Sequence, residues 1–254
     1  MPTPARVLTA FFLLAAGARA DAVEFSGSYA ERAARIVKRP TIHATTSWEA
    51  VDADPKLFEW FLDHPAAAGA LWKDLGLEVG SVEVLADGWR SRDPDGVVLE
   101  FHRLHRSAGM RGFYCKASVP TRAFPREVTA EFVLVHQVHI PDGESGGQQP
   151  IDRMETWVSA EGAALRLVMR VANGALKNAV IRSLRETKLY FTSIARIASG
   201  RPTWAANAVV KHPSFLTGDD VQQFGEHLMR IADSRAARSS TRGAVAQQPQ
   251  SSYR

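Results

Sequence analysis

The sequence has one cysteine, Cys115, among 254 residues, so no disulfide can close within the chain. In an exported chain a lone thiol defaults to a buried packing residue, because reactivity needs an accessible, electropositive setting. There is no glycine-rich phosphate loop and no G-x-S-x-G elbow, which removes two common nucleotide and hydrolase signatures. After the first twenty residues no apolar run approaches the ~20 residues that a membrane-spanning helix needs. An excess of one charge is missing too: 31 basic residues against 27 acidic ones give a formal net charge of +4. Arg6 and Arg19 account for half of that excess and lie in the first twenty residues. Arginines elsewhere alternate with acids along expected strands, a solvated face and not a nucleic-acid track. The six tryptophans, at 48, 60, 72, 89, 157 and 204, are scattered and form no basic stacking surface. No internal repeat is present.

What the chain does have is a globular composition, 45% hydrophobic and 23% charged, enough for one main domain with a real core. Its start is different. Arg6 precedes the apolar run VLTAFFLLAAGA, and Ala18 to Ala20 fits a small-x-small cleavage site. This reads as a secretory signal peptide over residues 1–20, cut before Asp21, with export to the periplasm or the exterior; an uncleaved N-terminal anchor is the alternative. Residues 21–40 form a helical extension, with Ser28 and Glu31 spaced as a capping box and Pro40 at its end.

The stretch TIHATTSWEAV, rich in β-branched residues, predicts a first strand. Asp54 followed by Pro55 then caps a helix whose apolar stripe is Leu57, Phe58, Phe61 and Leu62, and Pro65 interrupts it before a second short helix to about Leu75. From Val82 the period is two, giving strands near 82–90, 97–106, 111–119, 128–140, 152–160 and 163–172. The dipeptide Glu161-Gly162 reads as a hairpin turn that would set Val158 opposite Leu165 and Met154 opposite Met169. At residues 163–180, AALRLVMRVANGALKNAV, the rhythm changes from alternation to steps of three and four, with Asn173 and Gly174 at the joint. A long helix over 174–199 follows, striped by Leu176, Val180, Leu184, Phe191, Ile194 and Ala198 and ended by Gly200 and Pro202. Residues 201–233 form an extension with one amphipathic helix (Val221, Phe224, Leu228, Ile231), and 234–254 lacks an apolar period and reads as a disordered tail.

This order resembles the START-like helix-grip superfamily, which includes polyketide cyclases and Bet v 1-like proteins. The resemblance is carried by VDADPKLFEWFLDHP, like the family's first strand turning into its short helices, and by LRLVMRVANGALKNAV, like its last strand entering the gripping helix. It covers residues 41–200 and implies an α+β fold: a curved, seven-stranded antiparallel sheet wrapped around the long C-terminal helix, with two short helices after the first strand. It also implies a cavity between sheet and helix that takes a lipid or another apolar small molecule.

Period two places His136 on the inward face of 128–140 with Phe132 and Leu134. There it could orient a ligand or move a proton, and a core histidine satisfied by a neighbouring carbonyl or hydroxyl is the plainer alternative. Arg103 and His105 continue the inward face of Leu99 and Phe101 toward a cavity mouth, where an arginine can meet an anionic group or reach water. Thr156, Leu167, Met169, Leu184 and Phe191 complete the expected lining. The pairs His102/His105 and His136/His139 are three apart, which on strands sends the rings to opposite faces, so no metal and no cofactor is expected. Three readings remain: a non-catalytic exported binding protein, a cyclase- or hydrolase-like enzyme using His136, and an interaction protein with a packed core. The first is favoured, with an apolar small molecule or lipid as partner, no nucleic acid, room for a transient membrane-surface contact and an unknown protein partner.

Overall fold

The computed structural model describes residues 24–120, 128–140, 149–160, 173–212 and 215–246. In chain order these form α1 (Ala30–Lys38), β1 (Ile42–Thr45), β2 (Glu49–Ala50), α2 (Pro55–Asp63), α3 (Pro65–Asp74), β3 (Ser81–Leu85) and β4 (Gly88–Arg92). Then come β5 (Val98–Ser107), β6 (Met110–Val119), β7 (Val128–His139), β8 (Ile151–Ala160), α4 (Asn173–Gly200), α5 (Pro202–Lys211) and α6 (Gly218–Ala246). The strands make one open antiparallel sheet in the order β1-β8-β7-β6-β5-β4-β3, with β2 also pairing with β8. Helix α4 lies against the inner face of this sheet. The architecture is an α+β helix grip.

Eight strands stand among the described residues, where seven were expected over the whole domain. The first expected strand is interrupted between Thr45 and Glu49, and both pieces pair with β8. The run 82–90 is two strands, because the chain turns at Ala86-Asp87 and sets Leu85 opposite Gly88. Gly88 is required there: a Cβ would sit 1.7 Å from the carbonyl oxygen of Phe101 on the adjoining β5. The expected strand 163–172 and its hairpin at Glu161-Gly162 lie outside the described residues.

Local signals explain most helix starts. The Asp54 side chain accepts from the Leu57 N–H at 3.0 Å, and Pro55 opens α2, as expected of an N-cap followed by proline. The capping box at Ser28 does not form; Tyr29 is the N-cap of α1, and its side chain makes no cap hydrogen bond. Instead α1 is fastened from outside. Its Ala33 and Ile36 pack on the outer face of the sheet against Leu104, Tyr114, Val133, Val135 and Trp157, and Tyr29 stacks on Tyr114 at 4.5 Å.

On the inner face, α2, α3, α4, α5 and α6 share one core that includes Leu57, Phe58, Phe61, Leu71, Ile194, Ala198, Val209 and Phe224. Helix α5, which the sequence pattern left unassigned, contributes Ala205, Ala208 and Val209. The amphipathic stripe of α6 docks back on its own domain, with Phe224 stacked 4.9 Å from Trp60 and Leu228 and Ile231 buried. That helix continues to Ala246, well past Ser234, where the apolar period ends. Residues 232–236 are exposed all round, so this part extends a docked helix in solvent without burying a face of its own. No helix among the described residues is long and apolar enough to cross a membrane.

Arg230 of α6 grips Asp54 with two hydrogen bonds, at 2.7 and 3.1 Å, tying the last helix to the cap of α2. Burial pushes the Asp54 carboxyl up, but the hydrogen bonds from Arg230 and from the Leu57 N–H outweigh it and hold it below the usual aspartate value. A carboxyl depressed in the folded state stabilises the fold above its unfolded pKa of about 3.9, and that contribution is lost as pH falls through the folded value. Asp54→Asn should therefore lower stability at neutral pH by about 1 kcal/mol or less. Urea titrations at a series of pH values should show the two proteins converging on acidification below about pH 4.

Candidate functional site

The sheet and α4 do not separate evenly. Toward β1, β8 and β7 they pack together: Ala44, Leu134, Met154 and Leu184 are buried in one cluster with Phe113 and Cys115. The Cys115 thiol is fully buried and its pKa is pushed well up by desolvation, which makes it an inert packing residue.

A seam of buried charge lies beside this cluster. His136 on β7 donates from Nε2 to Oδ2 of Asp152 on β8 at 2.9 Å. Lys188, from α4, places its ammonium 2.9 Å from the other oxygen, Oδ1, as an ion pair. The same ammonium donates to the main-chain oxygens of Asp152 (3.2 Å) and Ser47 (3.3 Å) and lies 3.2 Å from Glu49. The side chains of His136, Asp152 and Lys188 are at most 4% exposed. Phe58 of α2 sets its ring edge-on to His136. Next to His136 across the β6–β7 pair is Arg111, which binds Asp63 through two hydrogen bonds and Glu59 at 3.0 Å. Burial opposes the Arg111 charge, but Asp63 and Glu59 more than compensate and raise its pKa. Arg106 adds a third link to Asp63 at 3.0 Å.

Toward β3, β4 and β5 the grip opens. A cleft of about 380 Å³ runs between these strands and the middle of α4, with Pro65 of α3 at one side. Its sheet wall is Val82, Trp89, Leu99 and Phe101; its helix wall is Ser183, Glu186, Thr187, Tyr190 and Phe191. Trp89 stacks on Phe101 with ring centres 5.0 Å apart and meets Phe113 edge-on at 4.9 Å. Burial pushes the Tyr190 hydroxyl well above its ordinary pKa, so it stays a neutral donor.

Of the residues expected to contact a ligand, Phe191 lines this cleft. Phe132 and Leu134 face the same side but pack into the closed cluster with Leu184. Thr156 is buried and donates to the Val133 oxygen at 2.9 Å. His136 belongs to the charged seam and is not among the cleft-lining residues. Arg103 is exposed. His105 is not on the inner face: the register shifts between Arg103 and His105, so His105 pairs with Gly112, on the outer side, and contacts Ser107 at 3.0 Å. The inward place passes to Arg106, opposite Arg111. The shift also leaves His102 and His105 on one face, yet His102 turns to Asp87 at 2.9 Å. Among the described residues no three potential ligands gather as a metal site. Leu167 and Met169 lie outside the described residues.

Sequence reasoning does not find Lys188, Asp152, Trp89 or Tyr190 as site residues. Lys188 was detectable, because it fills the seven-residue step between Leu184 and Phe191 on the buried stripe of α4. Asp152 has the inward parity of Met154 and Thr156.

No family model matches this chain, and none of the curated proteins matches it. Twelve chains of solved structures do match. One is the di-domain aromatase/cyclase BexL from the BE-7585A biosynthetic pathway, 15% identical, with a TM-score of 0.31 over 64% of this chain. This chain spans about half of BexL, 52% of its length. Another is an uncharacterised protein from Bacillus thuringiensis, 16% identical, with a TM-score of 0.27 over 53% of this chain and 93% of that one.

Replacing Lys188 by Met would leave the Asp152 carboxylate and its His136 partner buried without the ammonium. The expected loss is about 3–5 kcal/mol of folding stability in chemical denaturation.

Proposed function

We propose that this protein is a non-catalytic binding protein for an apolar small molecule, held in the cleft between β3–β5 and α4. The observation that carries this reading is the lining itself. Val82, Trp89, Leu99, Phe101, Tyr190 and Phe191 present apolar and aromatic surface around a volume of about 380 Å³. That size falls within the roughly 300–1,000 Å³ of small-molecule sites, and burial of ligand apolar surface at ~25 cal/mol per Å² supplies the driving force. Polar groups along the helix wall, Ser183, Thr187 and Tyr190, are placed to orient a ligand. The acid–base reading of His136 receives less support. Its partner Asp152 is within reach at 2.9 Å, but both are occupied in tethering α4 and sit in the closed half.

The neutral fluorescent probe N-phenyl-1-naphthylamine should be taken up with a rise in emission. Ser183→Trp, on the exposed flank of α4 where it lines the cleft, should abolish uptake without changing the melting transition. No uptake by the parent protein, or equal uptake by the variant, would overturn the binding reading.

We also propose export, on the pattern of residues 1–20. N-terminal sequencing of the protein from its native cells should then begin at Asp21; a retained Met1 would count against it.

A further inference from the structure

The cleft has one chemical asymmetry that the binding reading does not use. Among its lining side chains Glu186, on the rim of α4, makes no ion pair or hydrogen bond among the described residues. The other lining acid, Asp93, is engaged, with Oδ1 accepting from the Val97 N–H at 2.8 Å. Arg92 does not neutralise Glu186. It lines the cleft at the end of β4, beside Ser91, and forms no ion pair with Glu186 among the described residues. Arg182 and Arg185 lie on the exposed flank of α4 and pair with neither acid. The cleft thus sets a group of aromatic rings, Trp89, Phe101, Tyr190 and Phe191, beside the carboxylate of Glu186, which is unpaired among the described residues.

Aromatic faces and a nearby carboxylate attract the same class of group. A ring quadrupole favours an organic cation over its neutral isostere, and a weakly hydrated ammonium gains most. A carboxylate at the rim adds a charge partner that stays in contact with water, so it escapes the desolvation cost of a buried acid. An anionic head group, such as a fatty-acid carboxylate, would meet Glu186 with like charge and gain nothing from the rings.

We propose that the ligand of this cleft is an organic monocation: an apolar, ring-containing body that enters between Trp89 and Tyr190, carrying an ammonium group held at the mouth by Glu186. The inference rests on the binding reading above and narrows it to a charge class.

The test uses full-length protein and a matched pair of probes, (2-naphthylmethyl)trimethylammonium and 2-neopentylnaphthalene, which differ in charge and share a shape. Each displaces N-phenyl-1-naphthylamine in low-salt buffer. The cation should displace at about fivefold lower concentration than the neutral compound, a preference of the size expected for a cation–π contact with a partly exposed ion pair. Glu186→Gln should reduce that preference at least severalfold while leaving the neutral compound unchanged, and added salt should do the same. If the parent protein takes up the fluorescent probe but shows no preference for the cation, or if Glu186→Gln keeps the full preference, the cation inference is overturned and the apolar-binding reading stands. If the parent protein takes up no probe, both are overturned.

Discussion

The position of the long helix depends on one buried ammonium. Lys188 reaches from α4 to the carboxylate of Asp152 and to the main chain at Ser47 and Asp152, so it joins helix, β8 and the segment before β2 at one point. A lysine is seldom so buried unless paired, because desolvation of an unpaired ammonium costs several kcal/mol. Here that cost is met by oxygens on several sides, and His136 satisfies the second carboxylate oxygen of Asp152. The arrangement has a geometric consequence. It draws the middle of α4 toward the β1–β8–β7 half of the sheet, where Leu184 and Leu134 close the space, and leaves the β3–β5 half uncovered. The cleft is the far side of this off-centre attachment.

The same attachment separates two kinds of interior. Beneath α2 and beside Lys188 the inner face is ionic, with Arg111, Asp63, Glu59, His136 and Asp152 engaged with one another. Toward β4 and β5 it becomes aromatic, through Phe113 to Trp89 and Phe101. In the ionic half the charges hold helices to sheet, Arg111 through Glu59 and Asp63, and Lys188 through Asp152. The aromatic half buries apolar surface only partly, and it is there that a guest would add burial. Ionic and aromatic linings thus fall on different strands of one sheet.

Much of this was legible in the amino-acid sequence because it rests on periodicity. The α2 cap at Asp54, the proline that starts α3, the strands from Val98 to Ala160 and the stripe of α4 all follow from spacing. What was not legible depends on single-residue departures from a period. A turn at Ala86-Asp87 hides inside a run that alternates well enough to pass for one strand. The irregularity near Leu104 reverses parity, so Arg106 and not His105 takes the inward place. The capping box at Ser28 failed for a different reason: tertiary packing of Tyr29 on Tyr114 and His102 decides where α1 begins. Lys188 was overlooked because a charge on an apolar stripe reads as an exception, although its spacing from Leu184 and Phe191 is that of the core.

The closing helix shows how such exceptions cohere. Trp60 and Phe61 of α2 receive Phe224, while Asp54 at the start of α2 receives Arg230, six residues and nearly two turns further along α6. An apolar contact and an ion pair therefore fasten the same two helices at separate points, which fixes their crossing as well as their contact. With α6 and α5 packed against α2 and α3, that end of the grip is a shared apolar core. The cleft described above lies away from that core, between β3–β5 and α4, with Glu186 among its lining residues.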